Sequence, residues 1–314
     1  MTAASFTPEG PFSLASSIRF LEGFTPASYG QAADGVLRMA FPTDDGAGVI
    51  GCAVRQEEAA SGGSGPVTAD FTVYAEDGSV RAAGTTETQA ATAQIARILS
   101  LDVDGADFPA LGKADPVVAG LQADYPGLRP VCFYSPYEAA AWTIIGNRIR
   151  MTQAAAVKAR IAREHGQALD VAGHTLHAFP TPHALRRLER LAGLTDLKVE
   201  RLHALADAAL DGRLDAIALR AQPAEFALTD LRELPGIGPF SAELILIRGA
   251  GHPDVFPAAE PRVHQAIATQ YGLDDTAARS PARLAQIADA WRPYRSWVAL
   301  LLRARAQEQA ATRS

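Results

Sequence analysis

Leu234-Pro235-Gly236-Ile237-Gly238-Pro239-Phe240-Ser241-Ala242, followed by Asp254-Val255-Phe256-Pro257-Ala258-Ala259-Glu260, decides how this chain is read. Two glycines flanking Ile237 permit a tight hairpin with bare backbone N–H groups, and Pro239 suits the first position of a following helix. Amides at a helix N-terminus attract phosphate. Pro235, Gly236, Ile237, Gly238, Phe240, Ser241 and Ala242 are therefore candidate contacts to a phosphate backbone. A hairpin that only packs two helices would carry the same glycines. Glu260 stands at an expected helix start, where a carboxylate either caps the helix dipole or does chemistry.

Upstream of the hairpin the chain reads as helices. PYEAAAWTIIGNRIRM begins with Ser135 as N-cap and Pro136 in the first turn, and TQAAAVKARIAREHG continues a period near 3.6. FPTPHALRRLERLAGL and KVERLHALADAALDG read as two further amphipathic helices, Phe226–Glu233 leads into the hairpin and Phe240–Ile247 leaves it. Helices near 261–270, 281–291 and 293–309 complete this half. The first third differs: VLRMAFP, GVIGCAVR and ADFTVYAE have strand composition or alternation and are separated by DDGAG, ASGGSGP and EDGSV. A helix over Thr86–Leu99 closes that unit, and the acidic segment 100–115 reads as a connection. The expected fold class is α+β: a small N-terminal antiparallel sheet domain with helices (1–115), then an all-α domain (116–314).

The 314 residues are 48% apolar and 20% charged, an ordinary globular composition, with a net charge of −6. The average hides an asymmetry. Residues 1–120 carry 6 Lys+Arg against 15 Asp+Glu, while residues 121–314 carry 23 against 20. The segment WRPYRSWVALLLRAR (291–305) has four arginines and no acid, so a polyanion should meet the C-terminal two-thirds. Two cysteines, Cys52 and Cys132, cannot form a four-ligand metal site and do not suggest a disulfide scaffold. The N-terminus has neither a basic nor an apolar signal region, and no apolar run approaches membrane-spanning length. A cytoplasmic protein with no membrane partner is the expectation.

In order along the chain, FLEGF (20–24), PGLRP (126–130), YEAAAWTIIGNRIRMTQAA (137–155), FPTP (179–182), LPGIGPFSAELILIRG (234–249), DVFPAAE (254–260) and WRPYRSWVALLL (291–302) resemble the helix-hairpin-helix DNA glycosylase superfamily, in particular its bacterial 3-methyladenine DNA glycosylase II branch. The resemblance implies a helical domain of two lobes with the active-site cleft between them. It also implies base excision: a damaged, alkylated base is rotated out of double-stranded DNA, held against aromatic groups and cut from its sugar.

By that resemblance the catalytic carboxylate falls on Glu260, where the family has aspartate, and Asp254 keeps a structural place. Phe20 and Phe240 match aromatic positions of the base pocket, whereas Leu244 and Arg303 replace a tyrosine and a tryptophan. Arg303 would repel a cationic purine and favour a neutral lesion. Phe240 also takes the place of the lysine used by members that cleave the strand, which implies a monofunctional enzyme using water. Arg148, beside Asn147, falls at the side chain that plugs the emptied duplex. Arg150, Arg292 and Arg295 are secondary candidates for backbone contacts. The carbonyls of Arg232, Leu234 and Gly236 fall where relatives hold a monovalent cation such as sodium or potassium, and no other cofactor is implied. A monomer is expected. The alternative reading is a weakly active or non-catalytic lesion-binding protein, because glutamate lengthens the reach of the acid by one methylene.

Overall fold

A computed structural model describes residues 1–23, 34–58, 63–81 and 84–312. Phe24 of the FLEGF block and part of the turn cluster 60–66 lie outside the described residues. Four antiparallel strands, β1 (Thr2–Phe6), β2 (Leu37–Pro42), β3 (Val49–Gln56) and β4 (Val67–Tyr74), form a sheet in the order β1-β4-β3-β2, with Cys52 opposite Met39 and Phe71. Along β4 alternate residues Val67, Ala69, Phe71 and Val73 are buried, as period-two pleating requires.

The helices are α1 (Leu14–Gly23), α2 (Thr85–Ile98), α3 (Phe108–Ala114), α4 (Pro116–Asp124), α5 (Pro136–Gly146), α6 (Met151–His165), α7 (Pro182–Arg186), α8 (Asp196–Leu210), α9 (Ala216–Ala221) and α10 (Ala224–Arg232). Beyond the hairpin come α11 (Pro239–Leu244), a π-helical turn Ile245–Gly249, α12 (Pro261–Gln270), α13 (Asp275–Ala278), α14 (Pro281–Asp289) and α15 (Arg295–Thr312). None of the described helices is long and apolar enough to cross a membrane.

The three larger of four hydrophobic clusters among the described residues position the rest. Ile50, Cys52, Val54 and Phe71 of the sheet pack on Leu14 and Ile18 of α1 and Ile95 of α2. Apolar residues drawn from between Phe133 and Val255, including the hairpin anchors Leu231, Leu234 and Ile237, form a second cluster. Phe108, Val118 and Leu121 pack with α12, α14 and α15 in a third, so the expected boundary at 115/116 runs between two helices of one cluster. Arg129 of PGLRP ties the first to the third. Its guanidinium is buried, donates to the carbonyls of Pro11, Ser100 and Val103, and lies 5.1 Å over the Trp297 ring.

The structure departs from the sequence expectation in three places. The helical part contains a hairpin, β5 (Ala168–Val171) and β6 (His174–His177), joined through Ala172 and Gly173 in left-handed conformations. That geometry matches the twist of a two-residue hairpin turn. Leu169 and Val171 cover the outer face of the sheet against Val49 and Ala53, which is why β3 is buried on both faces. Gly51 admits the hairpin: a Cβ there would stand 3.1 Å from Val171 Cγ2. Second, the helix expected over FPTPHALRRLERLAGL stops at Arg186, and Leu188 O accepts a hydrogen bond from His203 Nε2 (2.8 Å) instead of continuing a helical ladder. Third, the segment 100–115 contains α3, and β1 and α1 precede the first strand foreseen.

Candidate active site

Between α10 and α11 the hairpin turns on one glycine. Gly236 is left-handed (φ +87°), and a Cβ on it would stand 2.8 Å from Arg201 Cδ. Gly238 is extended (φ −96°, ψ −176°) with open space where a Cβ would project, so any residue could adopt its backbone. Not all the amides foreseen as phosphate ligands can serve. Ile237 N donates to Leu234 O (3.0 Å), Ala242 N donates to Gly238 O (2.9 Å), and Pro235 and Pro239 have no N–H. The set narrows to Gly236, Gly238, Phe240 and Ser241. The last three belong to a helix start, where amides lack partners in their own helix, and no side chain caps Gly238.

Phe20, Asn147, Arg148, Phe240, Ser241, Leu244, Glu260 and Arg303 come together around one cavity of about 670 Å³. They arrive from five elements: α1, the α5–α6 loop, α11, the start of α12 and α15. The cavity lies where the second and third clusters face each other, since it is lined by Trp142 of one and by Val263 and Leu300 of the other. The turn residues Pro235 to Gly238 lie outside its wall, and Ala242 is buried in the second cluster.

Glu260 is half-buried and is the N-cap of α12, with Pro261 in the first helical turn. Its Oε1 accepts a hydrogen bond from Arg262 N (3.2 Å), which leaves the other oxygen for a ligand. Arg303 lines the same wall. Burial lowers its guanidinium from the ordinary value while the Glu260 carboxylate pulls it back up, so the two are within electrostatic reach. Phe240 is 43% exposed and available for stacking. Phe20 already carries Arg248, whose guanidinium lies 5.2 Å over the ring.

Arg148 is exposed and left-handed (φ 57°), a conformation an arginine holds only when its surroundings enforce it. Lys198 supplies part of that enforcement. Its Nζ donates to Ile145 O (2.7 Å) and Asn147 O (2.9 Å), closing the C-terminus of α5. Asp254 is occupied by Arg295 (2.7 Å) and Arg292 (3.2 Å), which places all three in an ion network rather than at the cavity. Arg150 is the exposed N-cap of α6.

Sequence reasoning missed three charged groups of the cavity, Glu243, Arg248 and the exposed Arg262. Glu243 stands three residues after Phe240 on the same helical face, and Arg248 interrupts the apolar run LILI, so each carried a faint signal. Burial lowers the Arg248 guanidinium to about 10.

No protein-family model matches the chain. DNA-3-methyladenine glycosylase 2 of Escherichia coli is 30% identical over 184 residues, 57% of this chain and 61% of the relative. DNA-3-methyladenine glycosylase of Bacillus subtilis is 24% identical over 209 residues, 64% of this chain and 67% of the relative. The solved 3-methyladenine DNA-glycosylase of Archaeoglobus fulgidus superposes with a TM-score of 0.73 at 20% identity, covering 98% of each chain. The chain therefore shares the fold of that solved glycosylase. The same fold extends further. A Clostridium acetobutylicum 8-oxoguanine glycosylase/lyase in complex with double-stranded DNA superposes with a TM-score of 0.63 at 14% identity, covering 100% of this chain and 99% of the other. The chain spans about three-fifths of the length of the E. coli glycosylase.

Proposed function

We propose that this chain is a monofunctional DNA glycosylase that hydrolyses the N-glycosidic bond of a damaged, alkylated base flipped out of double-stranded DNA. The observation that carries the reading is the convergence of Glu260, Phe240 and Arg148 on one cavity beside a helix start with bare amides. The amides of Gly238, Phe240 and Ser241 grip a phosphate, and Arg148 fills the space the base leaves. Phe240 stacks on the flipped base. As the C1′–N bond breaks, its electron pair leaves with the base and the sugar becomes oxocarbenium-like. The Glu260 carboxylate stabilises that positive charge and takes a proton from the water whose oxygen bonds to C1′. Phe240 offers no amine, so water is the nucleophile.

Arg248 and Arg303 disfavour a cationic base in this cavity, which points to a neutral lesion. The carbonyls of Arg232, Leu234 and Gly236 follow the C-terminal end of α10, the negative end of its dipole, and suit a monovalent cation that bridges hairpin and phosphate. The reading takes the chain as a monomer acting in the cytoplasm.

Single-turnover release of free base from lesion-bearing duplexes tests it. Glu260→Gln is expected to reduce the rate by roughly a hundredfold, the scale of a lost or misplaced catalytic group. Equal rates for wild type and variant would refute the assignment of Glu260. A second reading, a lesion binder that does not cut, is favoured by the hydrogen bond that draws Glu260 back onto its own helix. It predicts tight binding to abasic-analogue duplex with no base released.

A further inference from the structure

Glu243 is a carboxylate in the wall of the cavity that holds Glu260, and the chemistry above does not use it. It is 8% exposed, on the inner face of α11, one turn after the amides of Phe240 and Ser241. Among the described residues no ion pair engages it. Its carboxylate instead faces backbone amides: Ala259 N lies 2.8 Å from Oε2 and 3.1 Å from Oε1, and the adjacent Ala258 amide also acts on it. Ala259 immediately precedes Glu260.

Upstream the loop is tied to α15, where Val255 N donates to Ser296 Oγ (3.1 Å) and Ser296 Oγ donates to Val255 O (2.9 Å), but beyond Val255 such ties are few. Ala258 N donates to Phe256 O (2.9 Å) and Glu260 N to Pro257 O (3.3 Å), both local contacts within the same turn. Pro257 and Pro261 have no N–H, so beyond Val255 it is chiefly the Ala259 amide, with the adjacent Ala258 amide beside it, that ties this segment to another element. A buried carboxylate is a costly partner for an amide, since a neutral acceptor would satisfy it with less desolvation. Burial pushes the Glu243 carboxyl up, opposed by the Ala259 and Ala258 amides, and the nearby Glu260 charge raises it further.

We propose that Glu243 is a positioning residue: its ionised carboxylate clamps the Ala259 amide and thereby fixes where Glu260 meets the sugar. The inference rests on the glycosylase reading. It makes α11 a common element for the two tasks, presenting phosphate-binding amides at its start and setting the catalytic loop one turn later. A glutamate at position 260 has three side-chain torsions to order. A rigid attachment one residue before it limits where its carboxylate can reach.

The test compares wild type, Glu243→Ala, Glu243→Gln and Glu260→Gln by three readouts: single-turnover base release as a function of pH, affinity for an abasic-analogue duplex, and the amide resonance and hydrogen exchange of Ala259. Glu243→Ala should slow release about tenfold or more while analogue affinity stays within about twofold, since a misplaced group costs rate before it costs binding. Glu243→Gln keeps an acceptor and should recover most of the rate at neutral pH. Its rate should also persist to lower pH than that of wild type, because the Glu243 proton no longer enters the acid limb.

A wild-type rate in Glu243→Ala, with Glu260→Gln inactive, overturns the inference and leaves the glycosylase reading intact. Parallel loss of rate and affinity that glutamine does not restore also overturns it, by making Glu243 a packing residue. If wild type releases no base, the glycosylase reading fails instead, and Ala259 decides the clamp. Its amide should be protected from exchange in wild type and Glu243→Gln and unprotected in Glu243→Ala; an unprotected amide in wild type contradicts it.

Discussion

At the scale of single residues the two hairpin glycines separate cleanly. Gly236 needs to be glycine twice over, for its left-handed backbone and for the Arg201 side chain packed against it. Gly238 meets neither constraint, and its missing Cβ keeps the helix start uncovered. Gly236→Ala should therefore destabilise by more than about 1 kcal/mol in denaturant unfolding. Gly238→Ala should stay within about 0.5 kcal/mol of wild type yet bind duplex less tightly. His252 supplies a pH test. Burial lowers its imidazole from the ordinary 6.5, with Arg220 acting in the same direction, and its Nδ1 accepts a hydrogen bond from Asp254 N, which requires the neutral ring. The unfolded chain binds the proton more readily, so this contribution is present above the unfolded pKa and lost as pH falls below it. Melting temperature should drop more steeply below about pH 6.5 in wild type than in His252→Asn, measured by thermal scans across that range.

At the scale of elements the α5–α6 loop depends on a neighbour. Lys198 on α8 holds the carbonyls of Ile145 and Asn147, and Arg148 follows in a strained backbone. Removing the ammonium leaves two helix-end carbonyls without it and releases the loop. Lys198→Met should lower stability by about 1 kcal/mol and reduce the fluorescence rise of a 2-aminopurine placed at the flipped position. An unchanged fluorescence signal would show that the loop orders itself.

Legibility in the sequence divides along the same line. The hairpin, the start of α12 at Glu260 and the start of α5 were readable because glycine, proline and capping residues act locally, whereas the end of α5 at Gly146 falls inside the segment PYEAAAWTIIGNRIRM read as helical. The β5–β6 hairpin was not, because four-residue strands such as HTLH carry no usable alternation and gain their place by covering the sheet. The helix over 182–194 was overread because its apolar spacing continues after Leu188 O has turned to His203. Glu243 and Arg248 gain their roles from what packs against them 16 residues downstream and on α1, respectively, which periodicity does not encode.

At the scale of the molecule, the second and third clusters leave a cleft with both hairpin and acid on its margin, and the positive excess of residues 121–314 lies in the part that builds it. Duplex affinity should fall steadily with rising salt, since phosphate contacts release counterions. The central claim is that Glu260 makes this cleft cut rather than only hold. The direct measurement is mass-spectrometric detection of free base after a single turnover on alkylated duplex, for wild type, Glu260→Gln and Glu260→Asp side by side. The account predicts base release by wild type, near-background release by the glutamine variant and retained or faster release by the aspartate variant. Tight binding by all three with no base released by any would contradict it.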